Sequence, residues 1–121
     1  MQTQVKFSPS FAMAQVTLDP NEVVKAEAGA MVSMQGVAIE TSTQGGFMKG
    51  LRRSVLGGES FFMNTFTASP QGGQVGFAPD LPGDVVVWDL SGQTVFLQSG
   101  SYLASAMGVD HPDNDVAALG L

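Results

Sequence analysis

Cysteine is absent from this sequence. That excludes disulfides, thiolate nucleophiles and zinc sites built on thiolates. Histidine occurs once, as His111, so any imidazole-based chemistry has a single residue to draw on. Basic residues are scarce: five Lys and Arg stand against eleven Asp and Glu, and the net charge is −6. Wholesale binding to a phosphate backbone needs clustered Lys and Arg, so the acidic balance argues against a nucleic-acid partner while leaving room for one local basic patch. No apolar stretch approaches the ~20 residues that a spanning helix needs. The opening "MQTQVKFSPS" has no basic region followed by an apolar run and does not read as a signal peptide. The expectation is a soluble chain.

What is present is apolar, β-branched and aromatic. At 121 residues the chain reads as one domain, and 44% hydrophobic residues exclude a wholly disordered one. A domain this small buries a modest fraction of its surface, which leaves a role for partners. Short apolar runs alternate with turn signals at the spacing of all-β sandwiches and barrels. Strands are expected at 3–7, 11–18, 23–27, 31–34, 37–41, 60–68, 74–78, 84–90, 94–98 and 101–107. The punctuation is physical: "LDPNE" sets Pro20 in a turn, and "SPQGGQ" and "DLSGQT" supply glycines that accept positive φ. "APDLPGDV" carries two prolines, which do not sit inside a central strand.

One segment has helical period. Around 46–56, Phe47, Met48, Leu51 and Val55 fall on one side while Lys49, Arg52 and Arg53 cover the other. Gly50 weakens such a helix by ~1 kcal/mol relative to Ala, and Gly57–Gly58 would end it. A short helix or ordered loop is expected there, interrupting the strands.

The strand-like runs have apolar residues on both faces. In "GGESFFMNTFTA", Phe62 and Phe66 share one face while Phe61 and Met63 take the other. In "DVVVWDL", Val85 and Val87 oppose Val86, Trp88 and Leu90; in "TVFLQ", Val95 and Leu97 oppose Phe96. A half-exposed sheet carries a polar outer face. Cover on both sides is met by a core on one face and a subunit interface on the other, with Phe62, Phe66, Trp88 and Phe96 as interface candidates. The competing explanation is a small β fold with some apolar residues on its outside, which is common.

Four motifs together resemble one family. "AEAGAMVSM", "LGGESFFMNTFTA", "GFAPDLPGDV" and "FLQSGSYLASAMGV" are similar to the bacterial branch of the altered inheritance of mitochondria twenty-four family, over about 11–109. The resemblance implies an all-β fold, an antiparallel β-sandwich or double-stranded β-helix like that of the trp RNA-binding attenuation protein. It implies homo-oligomers, trimers of tandem-domain subunits, without an established activity in bacteria; eukaryotic relatives are mitochondrial and linked to inner-membrane organisation. This sequence stops at "HPDNDVAALGL", where family members usually continue into a second, similar β domain, so it is expected to be either a one-domain version or a fragment. The expected organisation is one β domain, 1–109, and a flexible acidic tail, 110–121. If identical subunits replace the missing half, a hexamer takes the place of the trimer. No residue matches the RNA site of the attenuation protein, and fold does not imply function.

Chemistry is weakly represented. Ser60 in "GGESF" is not in a G-x-S-x-G elbow, and His111 lies in a Pro- and Asp-rich tail. Asp110, His111, Asp113 and Asp115 lack the glycine and distal Glu of a calcium loop. The glycines around 45–58 fit neither phosphate-loop pattern. No catalytic residue, cofactor or metal is expected. The segment Phe47, Met48, Lys49, Leu51, Arg52, Arg53 and Val55 is a candidate membrane or partner contact, with its apolar side in the lipid interface and its charges on anionic headgroups. The plainer reading packs that apolar side on the protein itself. The reading is a non-catalytic oligomeric β-scaffold, bacterial and cytoplasmic, with peripheral inner-membrane contact open to it. A small-ligand-binding module is the alternative, and RNA binding by analogy of fold the remote one.

Overall fold

In a computed structural model the residues described are 1–43, 62–98 and 100–109. They form eight strands: β1 (Gln2–Lys6), β2 (Met13–Leu18), β3 (Val23–Glu27), β4 (Met31–Gln35), β5 (Val37–Thr43), β6 (Phe62–Ala68), β7 (Gly73–Phe77) and β8 (Ala104–Ala106). All described pairings are antiparallel. Two four-stranded sheets result, one ordered β1-β2-β7-β4 and the other β5-β6-β3-β8. The protein is all-β, and the two sheets make a sandwich. No helix occurs among the described residues; the segment expected to be helical, 46–56, lies outside them, as does the tail 110–121.

The alternation of the sequence sets the faces. On β2, Ala14, Val16 and Leu18 are buried; on β3, Val24 and Ala26; on β7, Val75 and Phe77. These residues, two apart, point to one side of each strand and fill the space between the sheets. Phe66 of β6 and Phe77 of β7 meet edge to face, with centroids 5.4 Å apart and planes at 70°. Since β6 and β7 belong to different sheets, this contact ties the two layers together.

The turns follow from their residues. After β2, Asn21 takes a φ of 62° and the Glu22 amide bonds the Asp19 carbonyl at 3.0 Å. Between β3 and β4 the chain crosses from one sheet to the other through Gly29, at a φ of 88°. On β4 the register with β7 shifts between Met31 and Ser33, so the bulged Val32 turns outward and is exposed.

Two expected strands are missing. Residues 84–90 and 94–98 belong to no strand, although their sequences read as strands. They form an arm. Its base is anchored: Ala12 donates its amide to the Gly83 carbonyl at 2.8 Å, and the Asp84 carboxylate accepts from Ser8 Oγ at 2.7 Å and from the Val85 amide at 2.9 Å. Its tip reverses at Ser91 and Gly92, both at positive φ, where the Gln93 amide bonds the Leu90 carbonyl at 2.7 Å. Positive φ at both central residues is the geometry of a tight hairpin turn.

Candidate functional site

The candidate site is built around the arm, whose turn is held by its own side chains. Asp89 Oδ1 accepts from the Ser91 amide at 3.1 Å and from Ser91 Oγ at 2.8 Å, which fixes the reversal. Val85 is buried and roots the arm in the core. Beyond it, Val86, Val87, Trp88 and Phe96 are exposed, Trp88 by 50% and Phe96 by 73%. Among the described residues no ladder joins this backbone to a neighbouring strand.

Beneath the arm lies a cleft of about 620 Å³. One wall is the arm itself, 87–95. The opposite walls come from both sheets: Thr3 of β1, Ala14 and Val16 of β2, Val24 of β3 and the short strand β8. Val85 and Leu103 lie in the cleft and also belong to the core cluster, so the cleft opens directly onto the sandwich interior. The walls are mostly apolar. Asp89, Ser91, Gln93, Thr94 and Ser105 supply its polar groups. At the rim, Lys25 Nζ donates to the Val109 carbonyl at 2.8 Å.

Near the cleft, Tyr102 is buried; its hydroxyl lies 2.8 Å from Ser105 Oγ and donates to the Lys25 carbonyl at 3.3 Å. Burial pushes the phenol well above its ordinary ionisation range, the Ser105 contact works in the other direction, and the Glu27 charge adds to the rise. The amino group of Met1, also at the cleft, lies 2.9 Å from Glu22 Oε1 and 3.4 Å from Asp19 Oδ2. Glu22 is held below the usual carboxylate range, first by the Asp19 amide at 2.9 Å and then by this amino group.

Of the interface candidates, Trp88 and Phe96 sit on the arm and are exposed. Phe66 does not belong with them: it is fully buried in the core of its own chain, because the face of β6 it shares with Asn64 and Ala68 points between the sheets. The Phe62 side chain lies outside the described residues, as do Phe47, Met48, Lys49, Leu51, Arg52, Arg53 and Val55. Asp110, His111, Asp113 and Asp115 lie outside them too. The sequence reading missed the cleft. The signal for it was faint: β8 and the returning limb of the arm fall in one run, 90–109, that contains no charged residue.

The fold defines the class as far as an all-β sandwich, here with a mostly apolar cleft beside its arm. A family model described as mitochondrial biogenesis AIM24 matches residues 3–114, and the chain belongs to that family. No curated protein matches it.

Proposed function

We propose that this protein is a non-catalytic, oligomeric β-scaffold that organises partners through its own assembly. The observation that carries the reading is the arm: Trp88 and Phe96 stand exposed on it, as Phe7 and Phe11 do after β1, whereas Phe66 and Phe77 pack together in the core. Large exposed apolar patches mark interaction sites. Family membership supports a role in organisation, since the family's description names mitochondrial biogenesis. Sedimentation velocity on the purified chain tests the assembly. A species heavier than one chain at micromolar concentration is expected, and a clean monomer there overturns the reading.

Peripheral membrane contact through 47–56 is the finer part of this proposal and is supported by sequence alone. Its apolar residues alternate with Lys49, Arg52 and Arg53, and several copies on one face of an assembly would add avidity to weak single contacts. Flotation with anionic liposomes is expected for the parent and lost in the double variant Arg52→Glu, Arg53→Glu. Unchanged flotation, or none by the parent, removes this part.

A second reading is favoured by the cleft. Its volume of about 620 Å³ falls within the ~300–1,000 Å³ of small-molecule pockets. Its apolar walls with a few polar groups at the arm's turn suit a neutral, mostly apolar ligand. Native mass spectrometry of the freshly purified chain tests this, by the presence or absence of a co-purifying mass.

A further inference from the structure

We infer that the arm of one copy, residues 85–98, pairs backbone to backbone with the uncharged run, residues 90–109, of a second copy of this chain. The inference rests on the oligomeric reading above and adds to it the segment and the mode of contact.

Three observations carry it. The first is the backbone. The arm leaves the core at Val85, reverses at Ser91–Gly92 and returns, yet belongs to no ladder among the described residues. Backbone that joins no described ladder is a template for pairing with another chain. The arm is already shaped for it: the turn is set by Asp89, and β-branched and aromatic residues fill both limbs. The uncharged run also holds β8, which ends its sheet and so has one ladder side not taken by a described strand.

The second is area. Such aromatic side chains bury ~150–250 Å² each, so at 50% and 73% exposure Trp88 and Phe96 leave roughly 250 Å² open between them. Val86 and Val87, also exposed, bring the open apolar area of the arm to roughly 400 Å², the size of patch that on a monomer is often functional.

The third is charge, and it selects the occupant. The chain carries −6, so two copies repel wherever their acidic surfaces face one another. Residues 90–109 contain no Asp, Glu, Lys, Arg or His. The one charge of the arm, Asp89, sits at its turn, so along the run two copies meet without opposing like charges. A basic protein or a cationic peptide would gain nothing from this surface and would be drawn to the acidic ones. A phosphate-bearing partner finds no Lys or Arg in the run, and the one cation beside it, Lys25 Nζ, is bonded to the Val109 carbonyl. The surface is matched to another copy of itself.

The test is hydrogen–deuterium exchange on the full chain at two concentrations, one on either side of the assembly midpoint found by sedimentation velocity. Amides of 85–98 are expected to exchange at least tenfold more slowly in the assembled sample, while those of β2 and β7 keep their rates. Val87→Pro removes one amide donor from the arm at a half-exposed position without changing charge. It is expected to raise the dissociation constant at least tenfold, and Trp88→Lys is expected to do the same by placing a desolvated charge in the contact. Assembly with unchanged arm exchange overturns the inference and leaves the scaffold reading standing. A monomer at every concentration removes both. Arm amides equally slow in the monomer also overturn it, because the arm is then covered within its own chain or by a small apolar molecule, which native mass spectrometry distinguishes.

Discussion

Tyr102 is the only tyrosine, so its ionisation can be followed without a second phenol in the signal. Burial holds its hydroxyl neutral far above the ordinary value of 10.0, against the opposing pull of Ser105. The folded-state value is raised, so the stability it contributes is complete below pH 10 and is lost as pH rises through the alkaline range. Tyrosinate absorbance is expected to appear only together with unfolding, tracked by circular dichroism in the same titration. A phenol that ionises near pH 10 in folded protein contradicts the burial. Tyr102→Phe removes one hydroxyl shared between Lys25 and Ser105 and is expected to cost about 1 kcal/mol in urea denaturation. Phe66→Ala is a larger lesion, about 3–5 kcal/mol, since it empties a fully buried site and breaks the ring contact with Phe77. Phe66 also shows where residue-level reading from sequence stops. Alternation placed it correctly on a face with Asn64, but two apolar faces on one strand cannot say which of them meets the core.

At the scale of elements, eight of the ten expected strands have counterparts in the fold, within a few residues at their ends. They were legible because alternation, β-branched residues and glycine or proline turns agree locally. The two that failed, 84–90 and 94–98, carry the same local signals and even the expected hairpin reversal. A strand, unlike a turn, exists only beside another strand, and partner identity is not written in local pattern. A different feature of the elements was invisible in sequence: the glycines of two sheet-to-sheet crossings, β4–β5 and β6–β7, touch. A Cβ on Gly73 would meet the Gly36 carbonyl oxygen at 2.6 Å and the Gln35 carbonyl oxygen at 2.9 Å, so the β4–β5 turn lies directly on the start of β7. Backbone atoms do not yield as a side chain does. Gly73→Ala is therefore expected to destabilise by about 2 kcal/mol or more, whereas Gly108→Ala, with open space around its Cβ, should be close to neutral. Thermal melts of the two variants side by side check this.

For the whole molecule, the balance between an acidic body and a mostly apolar arm, with Asp89 its one charge, dictates how assembly responds to salt. Net charge −6 makes every pair of copies repel at long range. That repulsion reaches ~30 Å at ~0.01 M ionic strength and about 8 Å at ~0.15 M. The arm contact itself is built from Val86, Val87, Trp88 and Phe96, whose burial owes nothing to charge. Screening therefore removes a cost without weakening the attraction, and self-association is expected to tighten as salt rises. Contacts through Lys49, Arg52 and Arg53 to anionic headgroups have the opposite sign, since screening weakens them. One salt series followed by sedimentation and by liposome flotation separates the two surfaces. The dissociation constant for self-association should fall between ~0.01 M and ~0.15 M, by a factor of a few, while membrane binding declines over the same range. Self-association that weakens with salt would mean that ion pairs, and not the apolar arm, hold the copies together.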